Sequence, residues 1–331
     1  MGASLRPEHF GFVHVPKRSS EFVITLQPAW SDHARLTVGL INTLESVYRH
    51  PLNRSAPWSA LWNFGRWQIS QRLYPRRALV PWVRGTRLIV GASETGLTGN
   101  LYCGLHEFAD MAFALHYLRA TDLFVDVGAN AGSYTVLAAG AAGAEVIAIE
   151  PVPHTFDRLL DNIHVNRLGL RVRTLNCAVG AATGMTRFAT DADTLNRVLL
   201  PGESRAAEIA VPVQKLDDII GTERGCFIKL DVEGFEAPVL EGARALLRAG
   251  RVRALLVELN GSGTLYGRDD ATLDAELRGF GLQSFVYEPF ERLLVPAARG
   301  CAGNTLYLLD PADAAARVLS AARFKIGRHD L

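Results

Sequence analysis

The stretch Leu123-Phe124-Val125-Asp126-Val127-Gly128-Ala129-Asn130-Ala131-Gly132-Ser133-Tyr134-Thr135 reads as a buried strand that ends in an acid, turns through two glycines and enters a helix. Gly128 and Gly132 tolerate positive φ and leave no side chain in the way of a ligand, and Asn130 is the next best residue for such a backbone. The helix N-terminus behind the turn offers unpaired N–H groups to a carboxylate or phosphate. The spacing is G-x-N-x-G, so the middle glycine that makes room for a pyrophosphate in G-x-G-x-x-G is missing. A second acid, Glu150, stands 22 residues beyond Gly128 at the tip of the next apolar run. There a carboxylate can accept two hydrogen bonds from a ribose diol. Asn176-Cys177-Ala178-Val179-Gly180 follows the third run, at the expected position of an adenine.

A second group of chemically able residues lies in Lys229-Leu230-Asp231-Val232-Glu233-Gly234-Phe235-Glu236, with Glu258 ending the run after it. Strand alternation puts Lys229 and Asp231 on one side and Leu230 on the other. Asp231 could take a proton as general base, but a neighbouring ammonium lowers a carboxylate pKa, which favours a positioning role at least equally. A structural ion pair is the plain alternative. Glu233 and Glu236 precede a helix expected near Pro238, where carboxylates stabilise the positive helix end. Asp231, Glu233 and Glu258 offer three oxygens to a hard cation, but nothing in their spacing requires one and no metal is expected. The histidines form no ligand-spaced pair; His106 and His154 are spare candidates for a base.

These residues need elements to carry them. Short apolar runs alternate with amphipathic helices after residue 120, the pattern of a parallel sheet with helical crossovers. Strands are expected at Leu123–Asp126, Val146–Ile149, Val172–Leu175, Phe227–Leu230 and Ala254–Glu258, then at Gln283–Tyr287, Arg292–Val295 and Thr305–Leu309. Helices are expected at Tyr134–Ala142, Thr155–Asn166, Glu236–Arg248 and Ala271–Arg278. Two extra strands, 184–188 and 209–213, fall between the third and fourth. Upstream, helices are expected at Leu36–Arg49 and Ala60–Leu73, followed by a hairpin of Leu79–Val83 and Arg87–Val90 about Gly85. Residues 1–100 then form a helical and hairpin extension, 101–310 the main domain, and 311–331 a short helix with a frayed end.

Composition bounds the class. With 331 residues, 48% hydrophobic and 21% charged, the chain can bury a core, which excludes disorder as its dominant state. A formal net charge of +1 provides no global field for nucleic acid. Lys17, Lys215, Lys229 and Lys325 are the only lysines, so Lys229 inside an apolar run stands out from an arginine-rich background. Cys103, Cys177, Cys226 and Cys301 form no C-x-x-C pair and are expected to be reduced core thiols. No run of about 18 apolar residues, no signal-type N-terminus, and an Arg6 that spoils the Met1-Gly2 start point to a soluble cytoplasmic protein without a transmembrane segment. All five tryptophans precede residue 100. Trp58, Trp62 and Trp67, with Arg66, Arg72, Arg76 and Arg77 nearby, suit a lid, a sugar-stacking platform, a membrane-surface helix, or simple packing against the sheet.

Taken in order, Asp126 to Thr135, Glu150-Pro151 with Pro153, Asn176 with Ala178 and Gly180, and Lys229 to Gly242 resemble the FkbM-type S-adenosylmethionine-dependent methyltransferases. The resemblance covers roughly residues 100–310. It implies an α/β class I methyltransferase fold, Rossmann-like, with a mostly parallel sheet and helices on both faces, the first hundred residues lying outside. It implies S-adenosylmethionine as cofactor and methyl transfer to a hydroxyl of a sugar, glycolipid or secondary metabolite. It places Asp126, Gly128, Asn130 and Gly132 at the methionine portion, Glu150 at the ribose, Asn176 and Ala178 at the adenine and Glu107 near the cofactor amino group, with Tyr134 among the cofactor-binding residues. Asp231, Glu258, Lys229 and Glu233 remain the catalytic candidates. No Asn-Pro-Pro-aromatic motif is present, which disfavours methylation of base or glutamine nitrogens. Partners are then a small-molecule, glycan or glycolipid hydroxyl acceptor and no nucleic acid, compatible with peripheral membrane contact and with a homo-oligomer. A nicotinamide-dependent oxidoreductase on the same sheet and a non-catalytic binding module are the competing readings.

Overall fold

The computed structural model describes residues 42–91, 94–190, 197–200, 202–297 and 303–331. The chain divides after Thr43, and Leu44–Leu331 make one compact unit. Trp30, Cys301 and the first part of the helix expected at Leu36–Arg49 lie outside the described residues; 42–49 are helical.

The Val-, Ile- and Leu-rich runs are apolar on both faces, as strands of a sheet covered on both sides must be. β1 (Leu123–Val127), β2 (Glu145–Ile149), β3 (Val172–Leu175), β4 (Cys226–Leu230) and β5 (Val252–Leu259) pair in parallel. β6 (Gln283–Glu288), β7 (Leu293–Pro296) and β8 (Gly303–Leu308) complete the sheet through antiparallel pairs. The order is β7-β6-β8-β5-β4-β1-β2-β3. The chain runs outward from β1 to β3, then returns past β1 to β4, so the order reverses between β1 and β4. Ligands of open parallel sheets bind outside the strand C-termini at such a reversal.

Alternation along β1 divides the core. Phe124 faces the helices Phe108–Tyr117 and Pro311–Leu319 and the hairpin residues Leu88 and Val90, while Leu123, Val125 and Val127 face the helix residues Leu216, Leu246 and Leu277. The hairpin forms as expected from Ala78–Pro81 and Arg87–Val90. The two extra strands, Gly184–Ala189 and Glu208–Gln214, do not enter the main sheet. They pair with each other, and the second also pairs with Ala178–Val179, making a separate three-stranded sheet with its own small core.

Three expectations need correction. The helix expected over Tyr134–Ala142 is α-helical only over Ser133–Val136 and continues as a π-helix over Leu137–Ala142. The run is nearly all Ala and Gly, and a Cβ on Gly140 would stand 2.6 Å from the Thr86 methyl, so small residues let the widened turn lie against the hairpin. The helix expected over Glu236–Arg248 breaks into Glu236–Glu241 and Arg244–Arg248. It breaks at Gly242, where a Cβ would lie 2.1 Å from the Gly180 carbonyl oxygen. The C-terminus is not frayed: Lys325–Ile326 pairs with His329–Asp330, Phe324 and Leu331 exchange backbone hydrogen bonds, and Leu331 is buried.

Candidate functional site

At the β1–β2 edge the chain turns as the glycine spacing predicts. Gly128, Asn130 and Gly132 have φ of 77°, 49° and 92°, and Gly128 and Ala129 both donate to the Ile149 carbonyl. The glycines are needed for contacts within the protein. A Cβ on Gly128 would lie 1.9 Å from the Asp231 carbonyl oxygen, and one on Gly132 would lie 2.6 Å from Leu159 Cδ1. The turn thus locks the ends of β1 and β4 together, and Asp231 N donates to the Val127 carbonyl at 3.1 Å.

Glu150 is buried. One carboxylate oxygen accepts from Asn130 N at 3.0 Å and the other from Val152 N at 2.9 Å, so this side chain staples the glycine turn to the loop after β2. Each oxygen has the capacity to accept a further hydrogen bond, and Glu150 lines the crevice. Burial, opposed by those two backbone bonds, pushes its carboxyl up to about 7. Asn176 spends its amide on the carbonyls of Glu150 and Pro151. It braces the loop and does not line the crevice, which is left to Cys177, Ala178 and Val179.

At the end of β4, Lys229 and Asp231, the residue just past the strand, share a face as alternation requires, and Lys229 Nζ lies 2.8 Å from Asp231 Oδ2. Lys229 is buried, sits opposite Asp126 in the β1–β4 register, and stands over the Tyr134 ring at 4.9 Å. Burial alone would lower its pKa; the carboxylates of Asp231, Glu107 and Asp126 outweigh that and raise it. Asp126 is buried as well. Its Oδ2 accepts from Thr135 Oγ1 at 2.6 Å, while Oδ1 has no hydrogen-bond partner among the described residues. Asp126, Tyr134 and Lys229 wall a small cavity of about 80 Å³ together with Glu107 and Arg158. Arg158 Nε is held 3.3 Å from the buried Glu94 carboxylate.

That cavity adjoins the main crevice through Glu107, Gly128, Asn130 and Asp231, which line both. The crevice has a volume of about 310 Å³, in the range of small-molecule pockets. Asp231, Glu233 and Glu258 converge on it, each bringing one oxygen to within 4.8 Å of the others. Glu233 is held at φ 54°, a strained left-handed conformation for a side chain of this kind. Burial first, then the charges of Asp231, Glu258 and Glu236, push its carboxyl up to about 7. Burial, with Asp231 next, also raises Glu258. Such a cluster can hold a proton near neutral pH or attract a cation. Glu236 is structural: it is buried and accepts from Gly234 N at 3.1 Å.

The crevice therefore brings together Glu107, Gly128, Asn130, Glu150, Ala178, Asp231, Glu233 and Glu258. It leaves Asp126, Lys229 and Tyr134 behind it in the small cavity, and Gly132 and Asn176 off both walls. His106 lines both cavities, whereas His154 is exposed on its helix and lines neither. The apolar wall of Val152, Phe188, Val198 and Phe235 escaped the sequence reading. Phe188 and Val198 come from the small sheet's segment, and no local pattern marks where that segment packs.

Glu150, Glu233 and Glu236 are each pushed up to about 7, burial being the first cause, from an ordinary 4.5. Folded, they keep protons that the unfolded chain has released, so their stabilising contribution is complete below pH 4.5 and is lost as pH rises through about 7. Thermal melts should show Tm falling by roughly 5 °C or more between about pH 5 and 8. A flat or rising Tm across that interval would contradict the burial of these carboxyls.

The reversal point, the glycine turn after β1 and the acid at the tip of β2 define a class I methyltransferase fold. Residues 126–283 match the family profile described as the Methyltransferase FkbM domain. A curated relative, the methyltransferase sdnD of Sordaria araneosa, is 26% identical over 171 residues, covering 41% of this chain and 65% of its own length. The chain thus spans about 65% of that relative. Among solved structures, the putative methyltransferase SMU.1697c of Streptococcus mutans, in complex with SAH, aligns at 11% identity and a TM-score of 0.37, over 60% of this chain and 94% of its own. The METTL16 MTase domain aligns at 13% identity and a TM-score of 0.38, over 78% and 94%.

Proposed function

We propose that the protein is an S-adenosylmethionine-dependent methyltransferase acting on a hydroxyl of a sugar, glycolipid or secondary metabolite. The observation that carries this reading is the convergence of Glu150, the glycine turn and the Asp231–Glu233–Glu258 carboxylates on one crevice of an FkbM methyltransferase domain.

The residues present fit the cofactor. Glu150 keeps a free lone pair on each oxygen for a ribose diol, and Val152, Ala178, Phe188, Val198 and Phe235 offer an apolar slot for an adenine. At the opposite end, the unpartnered Asp126 Oδ1 and the Glu107 carboxylate suit an ammonium. Arg158, steadied by Glu94, would hold a carboxylate there. When bound, S-adenosylmethionine supplies an electrophilic methyl group on a sulfonium.

An aliphatic hydroxyl attacks poorly while it keeps its proton, so a base with a pKa near the working pH helps. Lys229 holds Asp231 in an ion pair, which suits Asp231 to orienting the acceptor hydroxyl. Glu233, lifted to about 7, is better matched to taking the proton, with Glu258 beside it to share the charge. The negative wall as a whole favours a cationic ligand over the crevice.

Calorimetric titration with S-adenosylhomocysteine and with NAD⁺ tests the cofactor, and mass spectrometry of a cell-extract metabolite pool incubated with methyl-labelled S-adenosylmethionine tests the acceptor. Saturable binding of the first ligand alone, with labelled O-methyl products, is expected. Binding of NAD⁺ without S-adenosylhomocysteine would end the reading, and label found only on nitrogen would refute its hydroxyl part.

A further inference from the structure

From Ser46 to Ser93 the chain carries eight arginines and no aspartate or glutamate, although its net charge is +1. An arginine-rich composition accounts for arginine in place of lysine but not for the absence of acids over this length. The helix Pro57–Leu73 lies within the segment. Its inner face is core: Ala60 and Phe64 are buried and Trp67 packs against them. At 100° per residue, Trp58, Ile69, Trp62 and Leu73 fall within an arc of about 60° on the opposite side. They are 75%, 60%, 72% and 67% exposed, and Tyr74 follows at 73%. Arg66 flanks this stripe on one side and Arg72 on the other. Neither they nor Arg76 has a carboxylate within 4.0 Å among the described residues.

Two indoles and two aliphatic side chains in a line, bordered by guanidinium groups, match the boundary between acyl chains and anionic headgroups. The helix has 17 residues, so at 1.5 Å per residue it is about 25 Å long, and no helix of the described residues is long and apolar enough to cross a membrane. It is suited to lie in the plane of a surface. The charge argues against a second copy on this face, because a two-fold contact would bring two arginine-only segments together. Nucleic acid could use the arginines and indoles, but it leaves Ile69 and Leu73 without a partner.

We infer that the outer face of Pro57–Leu73 docks the protein on an anionic lipid bilayer, with Trp58, Trp62, Ile69 and Leu73 entering the interface and the flanking arginines on the headgroups. The inference is independent of the methyl-transfer reading. The full chain is sedimented with phosphatidylcholine vesicles, with and without about 30% phosphatidylglycerol, beside the variants Trp58→Ser/Trp62→Ser and Arg66→Gln/Arg72→Gln. These side chains are exposed, so circular dichroism melts should be unchanged. The wild type is expected to bind the anionic vesicles with a blue-shifted tryptophan emission, and each variant to lose roughly tenfold in partitioning. Failure of the wild type to sediment, or full binding by the tryptophan variant, would overturn the inference. So would a dimer, detected by light scattering, that the tryptophan variant dissolves, or a preference for a single-stranded RNA probe that displaces the vesicles.

Discussion

Lys229→Met should destabilise the fold by about 3–5 kcal/mol, the size expected when one member of a buried ion pair is removed. The methionine fills a similar volume, so the loss is electrostatic rather than a cavity. Asp126, buried and opposite Lys229 across β1–β4, would keep a carboxylate with only the Thr135 hydroxyl to answer it. Asp231 would lose its 2.8 Å partner, and the Tyr134 ring the ammonium above it. Asp231→Asn alone should cost less, because its side chain is about one-third exposed. Combining the two changes should recover part of the loss, with a coupling of about 1–3 kcal/mol. Urea titrations of the four proteins decide it: a Lys229→Met variant within about 1 kcal/mol of wild type would mean that the ammonium is not the counter-charge of this site. Under the proposed function, Asp231→Asn should also spare S-adenosylhomocysteine binding while lowering turnover.

Glu150→Ala should weaken S-adenosylhomocysteine by about 1–3 kcal/mol, or roughly 5- to 150-fold. Two effects contribute. The variant removes the proposed ribose acceptor, and it also frees Asn130 N and Val152 N, loosening the glycine turn against the loop after β2. A ligand change separates them. The 2′-deoxy analogue should bind wild type more weakly than S-adenosylhomocysteine does, and the two ligands should bind the variant almost alike. An equal penalty for the deoxy ligand in both proteins would leave Glu150 as a staple that never touches the diol.

Much of the scaffold was legible in the order of residues. Runs such as Leu123–Val127 and Cys226–Leu230 are buried on both faces and largely apolar because both faces are covered, and crossover helices between them require parallel strands. The side-by-side placement of Lys229 and Asp231 needs only the two-residue period of a strand, and the turn at Gly128 and Asn130 needs only residues that accept positive φ. These are local rules, and a chain states them locally.

The meeting of distant segments was not legible. Gly128 must be glycine because the Asp231 carbonyl lies against it, and Gly242 interrupts a helix because Gly180 does the same there. Asn176 turned its amide onto the neighbouring loop and left the crevice wall to Ala178 and to Phe188, Val198 and Phe235. The grouping of Asp231, Glu233 and Glu258 was readable from the strand ends, but the burial that raises the pKa values of Glu233 and Glu258 was not. Trp67 and Trp62 are five residues apart on one helix, yet the first packs on the core and the second faces outward. Burial and electrostatic coupling depend on distances through space, which only the packed chain sets.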